Sequence, residues 1–212
     1  MGLHLYFLRH GETTFSQTGG YCGHLDPELT SEGQKMAVEF AQAYQHLPWQ
    51  AVFASPMRRA VATAEPLANA VGLSLQLRDG LKEGYYGVWE GQTPEWVKQH
   101  HLEDYIRWMT EPAWNSPTGG ETAVQIATRA MAVMAEIEAN YTEGPVLVVS
   151  HKATLRIILC SLLGIDLGRY RDRINVLVAS VSLVRFTQYG PLLEFMGDRN
   201  HLNPELRSRP GT

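Results

Sequence analysis

"PVLVVSHKATLRIILCSLLG", residues 145–164, runs from an almost unbroken apolar stretch into a helically spaced one, with His151 at the junction. A segment such as 145–150, apolar at successive positions, is typical of a central parallel strand covered on both faces. The stretch after His151 keeps helical spacing and stops at Gly164, a residue suited to ending a helix. The same strand-then-helix grammar recurs along the chain. "LHLYFL" (3–8), "QAVFAS" (50–55) and "LSLQLR" (73–78) read as strands. "TSEGQKMAVEFAQAYQHL" (30–47) opens with a Thr30 or Ser31 cap and places Met36, Ala37, Phe40, Ala41 and Tyr44 on one face.

"PMRRAVATAEPLANAVG" (56–72) is a further helix, with Pro56 in its first turn and Gly72 at its end; Pro66 inside it should kink or divide it. "GGETAVQIATRAMAVMAEIEANY" (119–141) is a long helix, and short helices are expected near 93–110 within the irregular, aromatic-rich stretch 79–120. Two last strands, near 174–186 and 191–196, would join through "QYGP" and lead into a polar tail. Strands alternating with helices imply an α/β domain: a three-layer sandwich of a mostly parallel sheet with helices on both faces. No repeat, low-complexity tract or linker interrupts the chain, so residues 1–212 read as a single domain with a helical and loop cap at about 84–120.

The composition narrows the function. A net charge of −4 and a pI near 6.1 argue against a nucleic-acid or anionic-membrane surface, so any anion chemistry must come from a local basic cluster. Cys22 and Cys160 are far apart and form no CxxC pair; with no leader-like N-terminus and no long apolar run, a cytoplasmic location is expected.

In open α/β sheets ligands bind beyond the carboxyl ends of the strands. The first strand ends in Arg9-His10-Gly11, the second in "SPMRRA" with Arg58 and Arg59, the third leads to Glu83, and the fourth ends in His151. One such residue is weak evidence; their convergence on one rim is informative. Arginine forks neutralise phosphoryl oxygens and keep their charge. A neutral imidazole can attack phosphorus, dividing one hard displacement into two. A carboxyl group can protonate the leaving alkoxide and then activate water. A metal site on His10, His24 and His151 is rejected, because closely spaced ligand pairs are missing and two arginines would repel a cation. No metal or cofactor is expected.

The motifs "LRHGET" (8–13), "LTSEGQKMA" (29–37), "SPMRRAVATA" (55–64), "LKEGYYGVWEG" (81–91), "GGET" (119–122) and "VVSHKATLRIIL" (148–159) resemble, in order, those of the histidine phosphatase superfamily, in its phosphoglycerate-mutase-like branch. The resemblance covers residues 3 to about 165 and implies a phosphoglycerate-mutase-like fold. It implies His10 as the phosphorylated nucleophile, Arg9, Arg59 and His151 as the rest of the phosphate pocket, and Glu83 as the proton donor, with Arg58 solvated. Ser16 stands where many relatives carry an Asn and should still donate one bond to phosphate. Cys22 replaces a Thr with a weaker donor. Thr13 and Tyr86 match positions that approach the substrate, and Lys152 replaces a Gly, either adding positive charge or pointing to solvent. Gly11 would let the backbone come close to the phosphate.

The resemblance leaves phosphatase and cofactor-dependent mutase to be separated. Residues 84–120 hold Lys98 and Arg107 against Glu90, Glu95, Glu103, Asp104 and Glu111. An acidic lid would repel a bisphosphate and favour a small monophosphate bearing an amine, with L-phosphoserine first. The expected activity is metal-independent hydrolysis of a small phosphomonoester through a phosphohistidine. The alternatives are a mutase or an inactive phospho-ligand-binding scaffold. Four of the five tryptophans, Trp89, Trp96, Trp108 and Trp114, fall in the same segment; Tyr86 and Trp89 are the ones expected to touch substrate, the others to pack the cap. The expected partner is a small phosphorylated metabolite, with neither nucleic acid nor membrane, and a homodimer left open.

Overall fold

The computed structural model describes residues 2–211. In chain order the strands are β1 (Leu3–Arg9), β2 (Ala51–Ala54), β3 (Leu75–Leu77), β4 (Gly144–Ser150), β5 (Val181–Thr187) and β6 (Gly190–Asp198). The α-helices are α1 (Thr14–Thr18), α2 (Ser31–Tyr44), α3 (Arg58–Val71), α4 (Pro94–His100), α5 (Leu102–Thr110), α6 (Ala123–Asn140), α7 (Lys152–Leu163), α8 (Tyr170–Arg173) and α9 (Pro204–Ser208). One sheet of order β3-β2-β4-β1-β5-β6 results; β3, β2, β4 and β1 pair in parallel, and β5 and β6 extend it antiparallel.

Strand alternation assigns the two cores. Leu5, Phe7, Phe53, Val146 and Val148 face Ile126, Met134 and Ile137 of α6 and Ile157 and Ile158 of α7. Leu8, Val52, Ala54, Leu147 and Val149 face Phe40 and Ala41 of α2 and Ala60, Ala64 and Leu67 of α3. β4 therefore reads apolar without interruption because it lies between two helical layers. Burying these side chains in both layers supplies the main driving force, at roughly 25 cal/mol per Å² removed from water.

Several local expectations shift. α3 runs unbroken through Pro66, so the helix is not divided; burial of Ala60, Ala64, Leu67 and Ala68 along its inner face outweighs the backbone bond that proline removes. The long helix starts only at Ala123, where Thr122 and Gln125 form a capping box, and leaves Gly119–Glu121 as a loop. The strand expected near 174–186 forms only from Val181. Ile174, Val176 and Val178 alternate inward and are buried, but they plug the end of the sheet instead of joining a ladder. The Val176 carbonyl accepts from Arg9 Nη1 at 2.8 Å. Finally, the polar tail carries α9 and returns to the loop after β1, where Arg209 pairs with Glu12.

Candidate active site

Sheet register creates the site. Arg9 of β1 pairs with Ser150 of β4, so the next residues of the two strands, His10 and His151, emerge side by side with ring centroids 5.2 Å apart. β2 ends in register one step along, and Ser55 Oγ comes within 2.8 Å of His151 Nε2. Arg59, in the first turn of α3, reaches the same place and donates from Nε to His151 Nδ1 at 3.2 Å. That bond leaves the His151 proton on Nε2, donated to Ser55. In His10, Nδ1 lies 2.7 Å from the Gly11 carbonyl, which can only accept; Nδ1 therefore holds the proton and Nε2 the lone pair. Burial first, then the charges of Arg59 and Arg9, hold the His10 pKa well below its ordinary value, so the imidazole is neutral at pH 7. Burial and Arg59 do the same to His151.

Glu83 is buried opposite. Its Oε1 accepts from the Gly84 and Thr154 backbone N–H, while among the described residues Oε2 accepts only from Ala153 N–H; the Thr154 hydroxyl, 3.2 Å from Oε1, gives its one proton to the Lys82 carbonyl at 2.7 Å. Oε2 thus retains capacity to carry or receive a proton. The GGET motif explains how this loop is held: Glu121 pairs with Arg129, and Arg129 donates to the carbonyls of Gly80, Lys82 and Glu83. Glu90, also not singled out as a site residue, ties the loop after α1 to the Glu83 loop by accepting from the N–H groups of His24, Leu25 and Tyr86.

A cavity of about 230 Å³ opens over these groups. Arg9, His10, Thr13, Ser16, Cys22, Arg59, Glu83 and Tyr86 line it; His151 stands behind the wall, fully buried. Burial lowers the Arg9 pKa to about 9, which leaves its guanidinium charged at neutral pH. Arg59 also donates to the carbonyls of Cys22, Gly23 and Leu25 and so clasps the loop that carries Cys22. Burial pushes the Cys22 thiol up to about 11 and keeps it protonated, and it raises the Tyr86 phenol well above its usual range. Arg58 lies on the surface with Asp26 and Glu28.

Three expectations are corrected. Ser16 Oγ donates to the Thr13 carbonyl at 2.8 Å as part of the α1 cap, so its one proton is already engaged and does not stand ready for phosphate. Packing gives Gly11 a reason of its own, apart from any approach to phosphate: a Cβ there would sit 2.5 Å from the Gly33 carbonyl of α2. Trp89 is fully buried in the cap with Val97 and Trp108, and it is Trp108, not Trp89, that lines the cavity.

The acidic lid also turns away. Among the described residues that line the cavity, Glu83 is the sole carboxylate. Glu90 is bound to backbone N–H groups, Glu103 and Asp104 pair with Arg107, and Glu111 accepts from Ala113 N–H. The lining instead adds Lys152, Arg156 and Arg171, and Tyr170 beside them. Arg156 was legible in principle, being one helical turn beyond Lys152; Arg171 was not, because its position depends on how α8 folds back.

A model of the histidine phosphatase superfamily (branch 1) matches residues 5–199. The chain belongs to this superfamily. It is 32% identical to phosphoserine phosphatase 1 of Hydrogenobacter thermophilus over 166 residues, 78% of this chain and 79% of that one. To a glucosyl-3-phosphoglycerate phosphatase of Mycobacterium tuberculosis it is 28% identical over 174 residues, 78% of each. The crystal structure of a putative α-ribazole-5′-P phosphatase from Escherichia coli superposes with a TM-score of 0.85 at 25% identity, covering 94% of this chain and 98% of that one. The superfamily and its phosphatase members make this histidine phosphatase a phosphoric monoester hydrolase, on a phosphoglycerate-mutase-like α/β fold.

Proposed function

We propose that the enzyme hydrolyses a small phosphomonoester in two displacements through a phosphohistidine on His10. His10 Nε2 attacks phosphorus while Nδ1–H stays on the Gly11 carbonyl, which orients the ring and spreads the developing positive charge. The P–O bond to the alcohol breaks as the N–P bond forms, and Glu83 passes its proton to the departing alkoxide. Water then attacks the phosphoryl group, gives its proton to Glu83, and the N–P bond breaks to release phosphate and neutral His10. Arg9 and Arg59 stabilise the equatorial oxygens in both steps, and His151, held by Ser55 and Arg59, backs them from behind the cavity wall.

The observation that carries this reading is the neutral His10 whose only assigned proton points at a backbone carbonyl, in the wall of an arginine-lined cavity. L-Phosphoserine is the leading substrate. Its support is the 32% identical phosphoserine phosphatase and a cavity near or below the roughly 300–1,000 Å³ of drug-sized sites, not an acidic lid. The test is turnover of p-nitrophenyl phosphate and L-phosphoserine by wild type and His10→Ala, with acid-quench trapping of the phosphoenzyme. A loss of about a thousandfold or more is expected for the variant, with EDTA having no effect on wild type. Full activity of His10→Ala would sink the proposal.

A further inference from the structure

The cavity holds more positive charge than one phosphoryl group uses. Arg9 and Arg59 flank His10, yet Lys152, Arg156 and Arg171 line the same space. Lys152 and Arg156 lie one turn apart at the start of α7 and therefore share a helix face. Arg171 comes from α8, with its guanidinium 3.6 Å from the centre of the Trp108 ring of the cap and Nη2 on Met109 Sδ at 2.7 Å. The stack fixes the plane of that guanidinium without neutralising it. Among the described residues, Arg156 Nε and Arg171 Nη1 are buried and have no hydrogen-bond partner. Among the described residues no carboxylate forms an ion pair with any of the three; the titratable groups close enough to act on Arg156 include Tyr170, Tyr86, Glu83 and Arg171. Glu83 already receives three backbone N–H hydrogen bonds.

Burying cationic donors without acceptors costs free energy, and such clusters are retained where a ligand supplies the missing acceptors. The crowding registers on Lys152, whose pKa falls to about 7 through burial and the nearby charges of Arg9 and Arg156.

We infer that Lys152, Arg156 and Arg171 form a subsite for a second anionic group on the alcohol part of the substrate. The substrate class is then a phosphomonoester whose alcohol carries a carboxylate or a further phosphate. This rests on the phosphatase reading above and refines it. Phosphate sits on His10, Arg9 and Arg59, and the second anion sits across the cavity on the side of α7, α8 and the Trp108 face. L-Phosphoserine fits through its carboxylate, not through its amine.

The test compares kcat/KM of the full chain for O-phospho-L-serine and O-phosphoethanolamine, the same ester without its carboxylate. Wild type is expected to favour phosphoserine by about tenfold or more, the ratio worth one charge-assisted hydrogen bond. Lys152→Met and Arg171→Gln should each shrink that ratio several-fold, chiefly through KM, and Arg171→Lys should restore part of it. A second arm sets ethylene glycol bisphosphate against the monophosphate. Greater discrimination in that arm assigns the subsite to phosphate, and greater discrimination in the first assigns it to carboxylate.

Ratios near one in both arms, with every ester hydrolysed, overturn the subsite and leave the phosphatase reading standing. Equal losses on all esters in the variants also overturn it, because the cations would then serve the phosphoryl group or the fold. Absence of turnover with every ester overturns the phosphatase reading, and the subsite with it.

Discussion

Replacing Arg209 with Met should show how far the tail stabilises the loop that carries His10. Glu12, two residues after His10, is fully buried, and Arg209 donates to it twice, from Nε to Oε2 at 2.7 Å and from Nη2 to Oε1 at 3.0 Å. Thr30 and Gln17 supply the other two bonds to Oε1, at 2.8 and 2.9 Å. Removing one partner of a buried ion pair typically costs about 3–5 kcal/mol. The Arg209 side chain is 29% exposed, so solvent screening and the two surviving bonds bring the expected loss to about 2–3 kcal/mol. With an unfolding entropy of about 2.1 cal/mol/K per residue over 212 residues, the melting temperature should fall by roughly 5 °C.

Scanning calorimetry of wild type and Arg209→Met at pH 7 measures that fall. Burial alone would raise the Glu12 pKa, but the bonds from Arg209, Thr30 and Gln17 hold it below its ordinary value of 4.5. A lowered folded pKa means that the stabilisation is full above pH 4.5 and fades as pH drops through the folded value. The gap between the two proteins should therefore narrow in acid. A change under about 1 °C at pH 7 would refute the reasoning, because a buried carboxylate would then have lost its ion pair at no cost.

Two further outcomes follow from packing and protonation. Gly11→Ala places a Cβ 2.5 Å from the Gly33 carbonyl, which is backbone and cannot swing aside; the urea midpoint should drop by the equivalent of about 1–3 kcal/mol, and an unchanged midpoint would show that the loop has slack. His10 and His151 are held neutral in the folded protein but bind protons in the unfolded chain below about pH 6.5. Stability should therefore begin to fall as pH drops below that value, before the carboxylates titrate; a flat urea midpoint between pH 7.5 and 5 would contradict it.

Strand ends and helix starts were legible because both depend on local spacing. His10 and His151 fall directly after apolar strands, and parallel register alone then sets them side by side. Arg59 and Glu83 were reached the same way, from motif position beyond β2 and β3. Glu12, Glu90 and Arg129 were passed over, since beside their local partners each ties down groups 49 to 197 residues away. The stretch before β5 misled because alternation reports which side chains point inward, and a buried plug alternates as well as a strand does.

By itself, the order of apolar runs, caps and turns determined an α/β sandwich with reactive residues at one edge of its sheet. That much follows from hydrophobic periodicity and the rule that ligands sit beyond the carboxyl ends of parallel strands. Only the tertiary structure decided the sign of the charge facing the cavity. The cap is rich in acid along the chain, but Glu90 and Glu111 turn to backbone N–H groups and Glu103 and Asp104 to Arg107, whereas Lys152, Arg156 and Arg171 come to the cavity from α7 and α8. Net charge along a segment fixes no direction; where each side chain points is set by the packing of elements far apart in sequence.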